Sequence, residues 1–187
     1  MVSDGELFYG LFERRNLTKE GLERVMLQIK EVKTPQEIEQ LFELLSVIWK
    51  EVFTPIIGKE QVAYMMRHYQ SIDNIMQEIE DDVHYYFLEY NNQPVGYTAF
   101  QDQGEKIYIS KLYLSQSFRG KGLMSSVFDW YETLGKGKTL FLNVNQGNHL
   151  AIAVYEHRGF TKVGERYVDI GEGYIMNDFI YEKVLKS

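Results

Sequence analysis

At 187 residues, with 44% hydrophobic and 14% aromatic content, the chain is long enough for one folded domain with a substantial core. A net charge of −7 argues against a nucleic-acid groove, whose affinity comes largely from Lys and Arg neutralising phosphates, and is compatible with a cationic partner or with plain solubility. Cysteine is absent, which excludes disulfides, thiolate metal sites and covalent chemistry on a cysteine, and the four histidines (His68, His84, His149, His157) lack metal-ligand spacing, so no metal is expected. Residues 1–25 carry Leu7, Phe8, Leu11 and Phe12 at helical spacing, predicting an N-terminal helical extension of one or two short helices ahead of a single domain over 26–187. Leu27 to Val32 reads as a first strand. Thr34-Pro35-Gln36-Glu37 combines a capping box with proline at the first helical position, and Ile38, Leu41, Phe42, Leu45, Ile48, Trp49 and Val52 form one apolar stripe. Thr54-Pro55 is expected to end that helix. Further helices fit Lys59 to Tyr69 and, after Ser71 as cap, Ile72 to Ile79.

Val83 to Tyr90 and Val95 to Gln101 are predicted strands joined by a turn at Asn91-Asn92-Gln93. The next strand, Ile107 to Leu114, carries a phase slip. Ile107 and Ile109 alternate in one phase, Leu112 and Leu114 in the other, as a β-bulge at Ser110, Lys111 and Leu112 would produce; a strand buried on both faces is the alternative. A helix carrying Leu123, Val127, Tyr131 and Leu134 follows, stopped by Gly135-Lys136-Gly137. Then come a strand from Thr139 to Val144, a helix from Asn148 to Gly159, and two strands turning at Gly171-Glu172-Gly173. The predicted order, β-α-α-α-β-β-β-α-β-α-β-β, is a mixed sheet of about seven strands with helices on both faces. No apolar run reaches membrane-span length and no basic region precedes an apolar N-terminal core, so a cytoplasmic protein without membrane contact is expected.

Two segments carry the chemistry. The first, Gln116-Ser117-Phe118-Arg119-Gly120-Lys121-Gly122-Leu123-Met124, places glycines between a strand and a helix, where free amides at a helix N-terminus and two cationic side chains suit a pyrophosphate; an ordinary surface turn is the plain alternative. It is not a P-loop, because no Gly-Lys-Ser/Thr follows at the required spacing. Nor is it a dinucleotide fingerprint, whose third glycine would fall at Ser125. The second runs from Asn148 through Ala151 and Tyr155 to Gly159-Phe160.

Together these segments resemble the GCN5-related N-acetyltransferase (GNAT) family, in which an Arg-x-x-Gly-x-Gly/Ala loop is followed about thirty residues later by Asn-x-x-Ala-x-x-x-Tyr and Gly-Phe. The resemblance covers roughly residues 26–187 and is strongest from 107 to 160; Met124 departs from it where the family has a small residue. It implies an α/β (α+β) fold with a mostly antiparallel central sheet and a bulged, splayed fourth strand. It also implies acetyl-CoA as co-substrate. The pyrophosphate would lie on the amides of Arg119, Gly120, Lys121, Gly122, Leu123 and Met124, and the pantetheine arm along Leu112, Tyr113 and Leu114. Asn148 and Ala151 would complete the cofactor side. Tyr155 would be the acid that protonates the departing thiolate, although a Tyr packed on the helix's apolar face is the plain reading. The amide of Leu112 would polarise the carbonyl. No carboxylate stands on the bulged strand, leaving Glu89, His84 and Asp169 as base candidates through water. With no cysteine, direct attack in a ternary complex is expected.

The resembled family leaves the acceptor open. A small amine is expected, from a monomer or homodimer, with a non-catalytic acyl-CoA sensor and a protein N-acetyltransferase as alternatives. Tyr64, Met65, Met66 and Tyr69 either line its pocket or are core. The carboxylates of Glu78, Glu80, Asp81, Asp82, Asp169, Glu172 and Asp178 would, if exposed on the acceptor side, draw in a cation such as a polyamine; a solvated acidic face is the alternative.

Overall fold

Alternating apolar residues and paired turns build a single mixed sheet in the computed structural model, which describes residues 11–18 and 21–187, with side chains from Leu27 onward. In chain order the elements are β1 (Leu11–Thr18), β2 (Gly21–Glu31), α1 (Pro35–His68), α2 (Ile72–Glu80), β3 (Val83–Tyr90), β4 (Gln93–Asp102) and β5 (Lys106–Leu114). They continue with α3 (Leu123–Leu134), β6 (Thr139–Asn145), α4 (His149–His157), β7 (Thr161–Gly171) and β8 (Tyr174–Val184). Spatial order is β1-β2-β3-β4-β5-β6-β8-β7, the seven expected strands with β1 added at one edge. All neighbours are antiparallel except β5 and β6.

The helical reading of residues 1–25 is corrected over the described part. Leu11–Thr18 pairs along its whole length with Gly21–Gln28 of β2, and β2 also pairs with β3, so ladder hydrogen bonds outweigh a short stretch of helical spacing. β2 runs across the expected boundary between residues 25 and 26. Leu7 and Phe8 lie outside the described residues.

Thr34 caps α1 by accepting from the Glu37 amide, while Glu37 reaches back to the amides of Lys33 and Thr34, both at 3.0 Å. The helix does not stop at Thr54-Pro55. Proline removes one amide donor yet keeps a helical φ, and the break comes instead at Gly58, whose φ of 82° and ψ of 162° suit a residue without Cβ. The segment after Gly58 then faces the other end of the sheet. Tyr64 Oη and Tyr69 Oη both donate to the Ile170 carbonyl, at 2.6 and 3.0 Å, and Gln61 Nε2 donates to that of Ile175. So the second part of α1 is tied to the β7–β8 hairpin. Ser71 caps α2 by accepting from the Asn74 amide.

Two cores flank the sheet. On one face α1 and α2 bury Leu41, Leu45, Ile48, Trp49 and Ile75 against Tyr85, Phe87 and Tyr97. On the other, α3 buries Leu123, Val127, Phe128 and Tyr131, with Tyr155 of α4 packed alongside. Ile107, Ile109, Leu112 and Leu114 all belong to this second core. That is possible only because β5 is bulged: Phe100 pairs with Ile109 and Ala99 with Lys111, so Ser110 is the extra residue and the side-chain phase shifts by one. Thr98, fully buried, fastens the bulge; its Oγ1 donates to the Lys111 carbonyl at 2.7 Å and shares a 2.6 Å hydrogen bond with Tyr131 Oη.

Candidate active site

The parallel pairing of β5 with β6 covers only Lys106 to Tyr108. Past that point the two strands part, and the edge of β5 from Ser110 onward has no strand beside it. A cleft of about 880 Å³ opens there. Its lining draws on the parted strands, on α1, the loop before α3, α4, and the β7–β8 hairpin. Leu112, Tyr113 and Leu114 lie along the free edge and line the cleft.

The glycine loop closes one end. Gly120 and Gly122 have φ of 74° and 77°, where L side chains are strained, and a Cβ added at either would meet nothing within 4 Å. Packing therefore does not demand these glycines; backbone conformation does, and the space beside them is open to the cleft. Among the described residues the amides of Gly120, Lys121 and Gly122 have no acceptor, and Leu123 and Met124 begin α3 at the positive end of its dipole. An array of free amides around open space fits a pyrophosphate. The side chains are arranged otherwise than the sequence suggested. Arg119 turns back, with Nε donating to the Leu114 carbonyl at 2.9 Å and Nη2 at 3.6 Å from Glu51, so it braces the loop. Lys121 lies over the Phe118 ring at 4.9 Å and is outside the cleft lining.

Asn148, in the turn after β6, caps α4, its side chain accepting from the Ala151 amide at 3.3 Å. Both residues line the cleft. Tyr155, two turns on, packs edge-on against Phe128 with centroids 6.1 Å apart and also against Phe160. Among the described residues its hydroxyl has no hydrogen-bond partner, and burial pushes the phenol above its ordinary value, so it is protonated at neutral pH. α4 is held in place by Arg158, which bonds Asp129 at 2.6 Å and Glu132 at 2.9 Å on α3.

The opposite wall is apolar and mostly aromatic, with Trp49, Phe53, Tyr69 and Tyr108 beside Met65. Tyr64 is buried beneath it and Met66 packs in the helical core. Of the seven acids singled out in sequence, only Glu78, Asp169 and Asp178 line the cleft. Glu78 accepts from Tyr85 Oη at 2.6 Å and pairs with the buried Lys111 at 3.1 Å. This cluster was not legible in sequence, because its members are 7 and 33 residues from Glu78. Asp178 is not the exposed carboxylate expected; it is 4% exposed and its Oδ2 has no partner. The signal was present in β8, where Asp178 shares the phase of Tyr174 and Met176, both partly buried in the core. Burial raises its pKa, and Arg166 on β7 partly offsets the rise. Of the base candidates, Asp169 lines the cleft, with Oδ1 accepting from the Gly171 amide. His84 stacks on Phe100 beside Glu31, and neither it nor Glu89 lines the cleft. Among the described residues no group of three or more His, Cys, Asp or Glu could hold a metal ion, and no helix is long and apolar enough to cross a membrane.

A family model for the acetyltransferase (GNAT) family matches residues 38–160. An uncharacterised N-acetyltransferase from the pepI 3' region of Lactobacillus delbrueckii subsp. lactis is 27% identical, covering 82% of this chain and 98% of its own. The PaiA N-acetyltransferase of Thermoplasma acidophilum, solved with coenzyme A, superposes with a TM-score of 0.69 at 20% identity, covering 84% of this chain and 98% of that one. The ribosomal-protein-S18-alanine N-acetyltransferase of Escherichia coli gives 0.65 at 15% identity, covering 87% and 96%. The matched residues include the bulged strand, the glycine loop and the Asn148-to-Tyr155 helix, and on that evidence the chain belongs to the GNAT acetyltransferase family.

Proposed function

We propose that this acetyl-CoA-dependent acyltransferase acetylates a small, positively charged amine by direct attack in a ternary complex. The observation that carries the choice of a small acceptor is the tie between α1 and the β7–β8 hairpin, where Gln61, Tyr64 and Tyr69 bond the carbonyls of Ile175 and Ile170. A protein tail needs an open groove at that end of the cleft, and these contacts cross it. A cation is favoured by the cleft's character. Asp178 has Arg166 as its nearby cation, Asp169 also lines the cleft, Glu78 and Lys111 neutralise each other, and the aromatic wall suits an ammonium.

When bound, acetyl-CoA supplies an activated acetyl group on a thioester. The amide of Arg119 donates to the Gln116 carbonyl, so the amides from Gly120 to Met124 would hold its pyrophosphate, and the free edge at Leu112, Tyr113 and Leu114 its extended arm, with Asn148 and Ala151 alongside. The Leu112 amide, beside the bulge, would stabilise negative charge on the carbonyl oxygen. Tyr155, kept neutral by burial, would give its proton to the sulfur. The test is a panel of polyamines, monoamines, amino acids and peptides with acetyl-CoA, followed by thiol release. Cationic small amines are expected to react best, with KM rising as salt is added. Turnover confined to peptides or to neutral or anionic acceptors, or a KM for the best amine insensitive to salt, would refute the proposal.

A further inference from the structure

Building on the proposed amine acetylation, we infer that Asp178 is the base that takes the proton from the acceptor's ammonium group. Three carboxylates line the cleft among the described residues, and two are committed. Glu78 is held by Lys111 and Tyr85, and Asp169 spends Oδ1 on the Gly171 amide. Asp178 is different. It is 4% exposed, its Oδ2 is enclosed without a partner, and among the described residues no group donates to either oxygen. Leaving a buried carboxylate unserved is costly, and such a group calls for a reason beyond packing.

Its place in the sheet supplies one. Asp178 pairs with Asn145 on β6 and Arg166 on β7, level with the open end of the gap between β5 and β6. The charged and titratable groups that act on it are Arg166 from β7 and Tyr108 and Tyr113 from β5; β6 contributes the neutral Asn145. Tyr113, Tyr155 and Asp178 all line the cleft, so the acid and the base open onto the same space. Arg166 acts across the ladder without an ion-pair contact, and Oδ1, unlike the enclosed Oδ2, is left for a ligand. An ammonium entering between the aromatic wall and the free edge of β5 would give Asp178 a donor.

The step balances simply. The ammonium N–H bond breaks, its proton goes to an Asp178 oxygen, and the electron pair stays on nitrogen. Nitrogen then bonds the acetyl carbon as the C–S bond breaks, and sulfur takes the Tyr155 proton. The remaining surplus N–H proton returns to the Tyr155 phenolate, and Asp178 releases its own to solvent. One amine cation and one thioester become one amide, one thiol and one free proton.

Asp178→Asn tests this without changing volume. Turnover of an alkylamine with a conjugate-acid pKa of about 10 should fall roughly 100-fold or more at pH 7. With an arylamine or hydrazine already neutral at that pH, the loss should shrink to a few-fold. Acetyl-CoA affinity by calorimetry should stay within a few-fold, and Tm should not fall, since an unpaired buried charge is removed. Equal losses for both acceptor classes, or alkylamine turnover within three-fold of the parent, would overturn the role. So would a lower Tm with weakened acetyl-CoA binding, which would mark Asp178 as structural. If the parent protein binds acetyl-CoA yet acetylates no amine, the proposed function itself fails, an outcome separate from these.

Discussion

Thr98→Val isolates the fastening of the bulge. Valine matches threonine in shape, so packing is kept while two hydrogen bonds are lost, one to the Lys111 carbonyl at 2.7 Å and one with Tyr131 Oη at 2.6 Å. Thr98 and Tyr131 are both fully enclosed, so water cannot replace either bond. A buried group left without its partner costs about 1–3 kcal/mol. The Lys111 carbonyl can relax toward another donor, which holds the total to roughly 2–4 kcal/mol. For a domain of this size each kcal/mol moves Tm by about 2–4 °C, giving a fall of roughly 4–16 °C. The double variant Thr98→Val, Tyr131→Phe removes one orphan along with its partner. It should therefore be less destabilised than the sum of the two single changes, by about 1 kcal/mol. Thermal and denaturant unfolding of the four proteins complete the cycle. A Thr98→Val melt within 1 °C of the parent, or strictly additive changes, would show that these bonds do not hold the bulge.

Three further outcomes are expected. Tyr155→Phe should lower kcat by roughly 100-fold while leaving acetyl-CoA affinity within a few-fold, measured by thiol release and calorimetry; turnover close to the parent would assign the acid elsewhere. Gly122→Glu forces a side chain onto a φ of 77° and sets a negative charge beside the free amides, so calorimetry should show coenzyme A binding lost; an unchanged affinity would remove the loop from the binding site. Backbone amides and Lys30 hold Glu37 down at about 2 from 4.5, so its contribution is complete above about pH 4.5 and disappears as pH falls through about 2. Unfolding measured across that window should show Glu37→Gln converging on the parent in acid, and a constant difference between the two would contradict the capping box as the source.

Much of the frame could be read from local pattern, because it rests on neighbouring residues. The Thr34 and Ser71 caps, the Asn91-Asn92 turn with φ of 50° and 60°, and the phase slip around Ser110 are all short-range signals, and each stands where expected. What escaped depends on distant partners. β1 forms by pairing with β2, and the direction of Arg119 is set by Glu51 on another element. The end of α1 was misplaced because Pro55 is the stronger breaker by rule, while Gly58 alone has the conformation that turns the chain. Asp178 looked like one acid among several until the sheet enclosed it between Asn145 and Arg166.

The break at Gly58 bears on how this protein can change over generations. Residues lining the proposed acceptor end come from two stretches far apart in the chain, α1 with Tyr69 and the β7–β8 hairpin, whereas the loop, bulge and α4 form one nearly continuous block from Ser110 to Arg158. Substitutions at Met65, Tyr69, Val168 or Met176 can therefore reshape one end of the cleft while the other is inherited intact. The segment after Gly58 is held by the burial of Val62, Tyr64 and Met65 and by its bonds to the hairpin, so change there runs through side chains facing the cleft rather than through the length of the chain. Selection for a new acceptor has a place to act that leaves the donor end untouched.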